Sequence, residues 1–150
     1  MDAVSYPQPT VVDLIKLNMV PLRVAADSLP LSKDFRIVWT PTTIVLDYYG
    51  KEQQRTIGFM PPEELIPSLL LGIGKADFSN GTYNDAILRF NEILSRHKES
   101  AAAPEALYLW GVCRYKTSKN AGNLKEAYQR LTAEYPKSEW VKRASPYNLL

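Results

Sequence analysis

Residues Leu70 to Leu94 read LLGIGKADFSNGTYNDAILRFNEIL, and this stretch decides how the rest of the chain is understood. Leu70, Ile73 and Gly74 recur at helical spacing before Asn80-Gly81, a pair that breaks helices. Tyr83, Ala86, Ile87, Phe90, Ile93 and Leu94 then mark a second helix. Gly74 and Ala86 are small enough to let two antiparallel helices approach, with Tyr83 and Phe90 filling the gaps. A second, looser copy runs from Pro104 to Pro136: Leu107, Tyr108, Trp110, Gly111 and Tyr115 on one helix, Tyr128, Leu131 and Tyr135 on the next. The residues Thr117 to Asn123 read as the loop between them, and Asn123-Leu124-Lys125-Glu126 has the spacing of a capping box. A short last helix is expected to start at Ser138 and bury Trp140 and Val141.

The two copies resemble the tetratricopeptide (TPR) repeat, in which helical hairpins stack into an array. The first copy departs from that pattern at Lys98, where a closing proline is usual. The phrases Ala103-Pro104-Glu105-Ala106-Leu107-Tyr108 and Tyr135-Pro136-Lys137-Ser138-Glu139-Trp140 are similar to a TPR subtype of bacterial envelope and assembly proteins. The resemblance implies a binding surface for a protein or peptide. Gly74, Tyr83, Ala86, Phe90, Tyr108, Trp110, Gly111 and Tyr115 are its candidate groove or inter-helix packing residues, and packing is the favoured role for most of them.

Upstream, helix and strand signals mix. Pro9 can open a helix that carries Val11, Leu14, Ile15 and Leu17 as far as Asn18. Val20, Leu22, Val24 and Ala26 alternate with Pro21, Arg23 and Ala25 at the period of a half-buried strand. A helical turn is expected near Ser32–Ile37. The β-branched run Thr42–Tyr49, then Gly50-Lys51, then Gln54–Phe59, predicts a β-hairpin. Pro62-Glu63-Glu64 opens the helix that leads into the first repeat, and a kink or restart is expected at Pro67.

Val20–Val24 and Ile37–Asp47 together resemble the later two-thirds of a thioredoxin fold. That resemblance implies a cis Pro41, with Trp39, Thr40 and Pro41 lining a peptide-binding edge and Thr40 offering its backbone to an extended substrate. It also implies that the Cys-x-x-Cys segment and a central strand lie before Met1, so that the sheet is incomplete. The fold class expected is therefore an incomplete α/β thioredoxin-like unit over residues 1–61, followed by all-α TPR-like hairpins over 62–150, with the helix 62–78 shared. An incomplete sheet leaves strand edges open, which predicts self-association.

Composition sets limits on the chemistry. The 150 residues carry a net charge of +2, with basic residues scattered along the chain, so nucleic acid is not an expected partner. No apolar stretch is long enough to span a bilayer, and the start Met1–Ser5 lacks a signal peptide's features, so a cytoplasmic protein with no membrane partner is expected. One cysteine, Cys113, and one histidine, His97, exclude intramolecular disulfides and zinc sites built from several Cys or His. Cys113 lies in a helical pattern and reads as a small buried hydrophobe, His97 as a surface residue near a helix end, and no third group is in view to orient the pair. Gly72-Ile73-Gly74-Lys75 lacks both the glycine spacing and the Ser or Thr of a phosphate loop, and Glu63 and Glu64 point to different sides of a helix. No catalytic residue, metal or cofactor is expected. The expected function is non-catalytic protein–protein interaction; the alternative is the C-terminal portion of a thiol-disulfide oxidoreductase whose dithiol lies upstream of Met1.

Overall fold

The computed structural model describes residues 1–150. Two short helices, α1 (Pro9–Asn18) and α2 (Leu31–Asp34), precede an antiparallel hairpin of β1 (Thr42–Leu46) and β2 (Glu52–Ile57). Five helices follow: α3 (Pro62–Asn80), α4 (Tyr83–Arg96), α5 (Ala103–Ser118), α6 (Gly122–Glu134) and α7 (Glu139–Ala144), with a 3-10 turn over Ser145–Leu149. The molecule is thus a small α/β unit leading into a run of helices.

The helical part forms because each helix buries one face against its neighbours. Leu70 and Leu71 of α3, Ala86, Phe90 and Ile93 of α4, Ala103, Ala106, Leu107 and Cys113 of α5, Leu131 of α6 and Ala144 of α7 make one continuous core. The turn after α3 needs a left-handed residue, and Gly81 supplies it at φ +81°. Two glycines set the helix spacing. A Cβ on Gly74 would lie 2.5 Å from the Phe90 ring, and one on Gly111 would collide with the Ala127 Cβ. The backbones can approach only because those side chains are missing.

The hairpin rests on the first of these helices. Thr43 and Val45 turn toward α3, where Val45 packs over Gly72 so closely that a Cβ there would meet its Cγ2 at 2.7 Å. Val45 joins Val11 of α1, Met60, Leu65 and Leu69 in a second, smaller core, and the Ser5 hydroxyl donates to the Met60 carbonyl at 2.5 Å beneath it. One stripe of α3 meets the hairpin residue by residue. Ser68 bonds Thr56 (3.2 Å), Lys75 donates to Gln54 (2.9 Å) and Ser79 donates to Gln53 (2.9 Å). These positions recur at i, i+4, i+7 and i+11 through Gly72, which is one face of a helix.

Several sequence expectations change. Val20–Ala26 forms no strand: the sheet has two strands only, and this segment runs exposed with no ladder partner. Its alternating pattern suits a sheet, but a strand is made by pairing, and the chain places nothing beside it. Pro67 does not interrupt α3, which runs through it and buries it, at the cost of the one ladder bond that an N–H at this position would give to the Glu63 carbonyl. The capping box at Asn123 is absent. The α6 helix starts at Gly122, two residues before the Leu124 that an Asn123 cap would place first; the Asn120 side chain accepts the Gly122 N–H (2.9 Å), and Asn123 instead donates to Ser118 Oγ (2.7 Å) and to the Arg114 carbonyl (3.3 Å). This stitching shortens the expected loop, because α5 continues to Ser118 and leaves only Lys119–Ala121 between the helices. The second strand begins at Glu52, two residues before the expected Gln54, and ends at Ile57. At the C-terminal end, Trp140 and Val141 are half-buried, while Ala144 is the fully buried residue of α7.

Candidate interaction surface

The residues nominated as groove or packing positions divide clearly. Gly74, Ala86, Phe90, Trp110 and Gly111 are buried between helices. Tyr83 is half-buried and meets Phe78 edge-on at 5.6 Å between centroids. The Tyr108 hydroxyl bonds that of Tyr147 at 2.8 Å, its ring stacks on Tyr147 and lies 5.1 Å from Trp140, so it anchors the C-terminal turn. Burial and this bond push the Tyr147 hydroxyl's pKa well above the usual tyrosine range. Tyr115 is half-buried and lies outside the core cluster. Trp110 lies between two guanidinium groups, Arg114 at 4.5 Å and Arg130 at 5.1 Å from its ring, and those arginines are held in turn by Glu126 (2.7 Å) and Glu134 (2.8 Å). Such cation–π stacks pin α5 to α6 and leave little of the indole free.

Trp39, Thr40 and Pro41 are not brought near these residues. They precede β1, with Trp39 68% exposed, and the Thr40–Pro41 peptide is cis, as is Leu29–Pro30. The Trp39 carbonyl accepts the Thr42 hydroxyl at 2.6 Å.

The titratable groups do not assemble a reaction centre. Cys113 is fully buried, and burial, reinforced by the Asp77 carboxylate, pushes its thiol up to about 12. Such a thiol is protonated and inert at neutral pH. His97 ends α4. Glu64 accepts the Ala101 N–H (3.1 Å) and so ties α3 to the start of α5. No group of three or more His, Cys, Asp or Glu converges as metal ligands would. The cleft between α4 and α6 is open and lined mostly by polar side chains, including Asn91, Ser95, Arg96 and Arg130.

One surface was not singled out by the sequence. Gly74 and Gly111 play the same part in successive hairpins, each facing the second helix of its own pair. Aligning them makes Ser68, Gly72, Lys75 and Ser79 of α3 equivalent to Glu105, Leu109, Val112 and Lys116 of α5. The α3 stripe carries the hairpin. On α5 the equivalent stripe has two apolar residues, Leu109 and Val112, half-buried between Glu105 and the exposed Lys116. Lys75 links the two stripes, holding Glu105 at 3.0 Å and Gln54 of β2 at 2.9 Å with one ammonium group. The clue available in the sequence was the equal glycine-to-glycine offset, which becomes informative only once the hairpin's seat on α3 is known.

Comparison with known proteins agrees with the helical part. Residues 105–138, which span α5, α6 and the turn before α7, match the tetratricopeptide repeat family model. No curated protein and no solved structure matches the chain. No helix is long and apolar enough to cross a membrane. Over residues 105–138 the chain is therefore similar to a tetratricopeptide repeat, a unit that typically binds protein partners.

Proposed function

We propose that this chain is a non-catalytic protein-interaction module that holds an extended segment of a partner protein along the α5 stripe Glu105, Leu109, Val112 and Lys116. The observation that carries this reading is the hairpin's seat. On α3 the same stripe already receives a β-strand of the chain itself, through side-chain hydrogen bonds to β2 and van der Waals contact at Gly72. The α5 stripe offers the same spacing with apolar residues at its centre, and an alternating peptide would place every second side chain against them. The test is panning of a random peptide display library on the full chain, with binders measured against wild type and Leu109→Glu. The expected result is peptides whose affinity falls at least about tenfold in the variant, or about 1.4 kcal/mol. Peptides that bind both proteins equally would overturn the proposed site.

For residues 1–61 we propose a partial thioredoxin-like unit, with Trp39, Thr40 and Pro41 as its exposed edge. Its support is the order turn, hairpin and packed helix α3; the strand that the resemblance also implies at Val20–Ala26 is not formed. Helix α3 would then serve both units. The thiol-disulfide oxidoreductase alternative needs a dithiol, and Cys113 cannot stand in for one because it is single, buried and protonated.

A further inference from the structure

The chain carries two elements that are each half of a sheet and are not paired with one another. The first is the outer edge of β1. The Gly58 N–H donates to the Pro41 carbonyl (2.8 Å), so Pro41 and Gly58 are a hydrogen-bonded pair. Alternation then turns Thr43 and Val45 toward β2 as well, and directs the N–H and C=O groups of Thr42, Ile44 and Leu46 away from it. No third strand meets them. The second element is Val20–Ala26. It belongs to no helix or strand and ends in a turn in which the Ala25 carbonyl accepts the Ser28 N–H (3.0 Å); none of its backbone N–H groups has a partner within the chain, and its alternate side chains are apolar and exposed, Val20 by 95% and Leu22 by 78%. Its one side-chain tether is the exposed Arg23–Asp2 ion pair at 2.7 Å, a contact that contributes little in water.

We propose that two copies of this chain associate by strand exchange, Val20–Ala26 of each pairing with the β1 edge of the other. A second copy is the occupant because each molecule offers one strand and one edge, so reciprocal pairing satisfies both sets of backbone groups at once and closes at two molecules. Pro21 fixes the phase. It has no N–H, so it must face away from the partner edge, and the donors that pair are those of Val20, Leu22 and Val24. With the strands antiparallel in that phase, the side chains of Val20, Leu22 and Val24 share a face with Ile44 and Leu46 and extend its apolar surface. Slipping by one residue would put Pro21 in the ladder and Arg23 among the apolar side chains. This interface uses no residue of the α5 stripe.

The test uses light scattering on the eluting full chain, with backbone amide exchange on the same samples. Wild type is expected at twice the 17.0 kDa chain mass, with the Ile44 and Leu46 amides protected. The double variant Leu22→Asp and Val24→Asp changes only solvent-facing residues of the single chain, so its circular dichroism is expected to be unchanged. It should run at 17.0 kDa with those two amides exchanging freely. A wild-type protein that stays at 17.0 kDa with unprotected Ile44 and Leu46 amides at every concentration would overturn the proposal, as would a dimer that survives the double substitution. Leu109→Glu is expected to leave the dimer intact, which separates this interface from the peptide site.

Discussion

Gly74 shows how much one missing methyl group can decide. Replacing a mid-helix glycine by alanine ordinarily stabilises a helix by about 0.5–1 kcal/mol. Here the added Cβ would lie 2.5 Å from Cε1 of the fully buried Phe90 ring, and a ring packed on all sides cannot step aside. Gly74→Ala is therefore expected to destabilise the protein by about 1–3 kcal/mol in urea unfolding, the reverse of the propensity effect. Asp77 lies three residues further along the same helix. Its Oδ2 is buried without a hydrogen-bond partner, and the nearest cation, Arg89, stops at 3.9 Å. Burial raises its carboxyl pKa above the ordinary value, Arg89 lowers it and Asp85 adds to the rise. The folded protein thus holds its proton to higher pH than the unfolded chain does, so this group lowers stability as pH rises through the ordinary carboxylate pKa toward the raised one. Asp77→Asn should be more stable than wild type at neutral pH, by on the order of 1 kcal/mol. The difference should vanish in acid below the ordinary carboxylate range, as thermal melts across pH would show.

Among the elements, α3 to α7, α1 and the hairpin are legible in the sequence because each carries its own signal. Periodic apolar residues, a proline in a first turn, and glycine at a left-handed stop are local chemistry that needs no knowledge of neighbours. The misread elements are those whose form depends on a neighbour. Val20–Ala26 has strand composition, but its pairing partner is a tertiary fact. Asn123 has the capping-box spacing, but Asn120 reaches the first free N–H before it, and Asn123 is drawn instead to the end of α5. The candidate site was legible only as a class of surface. Of the aromatic residues nominated, Phe90 and Trp110 are core and Tyr108 belongs to the C-terminal turn, because large rings are the pieces that fill space between helices. The stripe at Leu109 and Val112 carries no unusual residue and becomes visible only through its equivalence to the stripe beneath the hairpin.

For the whole molecule, the central claim is that α3 joins the hairpin and the helical repeats into one folding unit. One of its faces lies in the core shared with α4 and α5, and another carries Val45, Gln54 and Thr56 of the hairpin. Loss of hairpin packing must then be felt in helices that the hairpin never touches. The most direct measurement is native-state amide exchange of Val45→Ala, which leaves a cavity over Gly72 without touching α5 or α6. The account predicts that the slowest amides of α3, α5 and α6 lose protection together, by a common amount equal to the drop in global stability of about 1–3 kcal/mol. Faster exchange confined to the hairpin, with α5 and α6 unchanged, would contradict it and would show two units that fold independently.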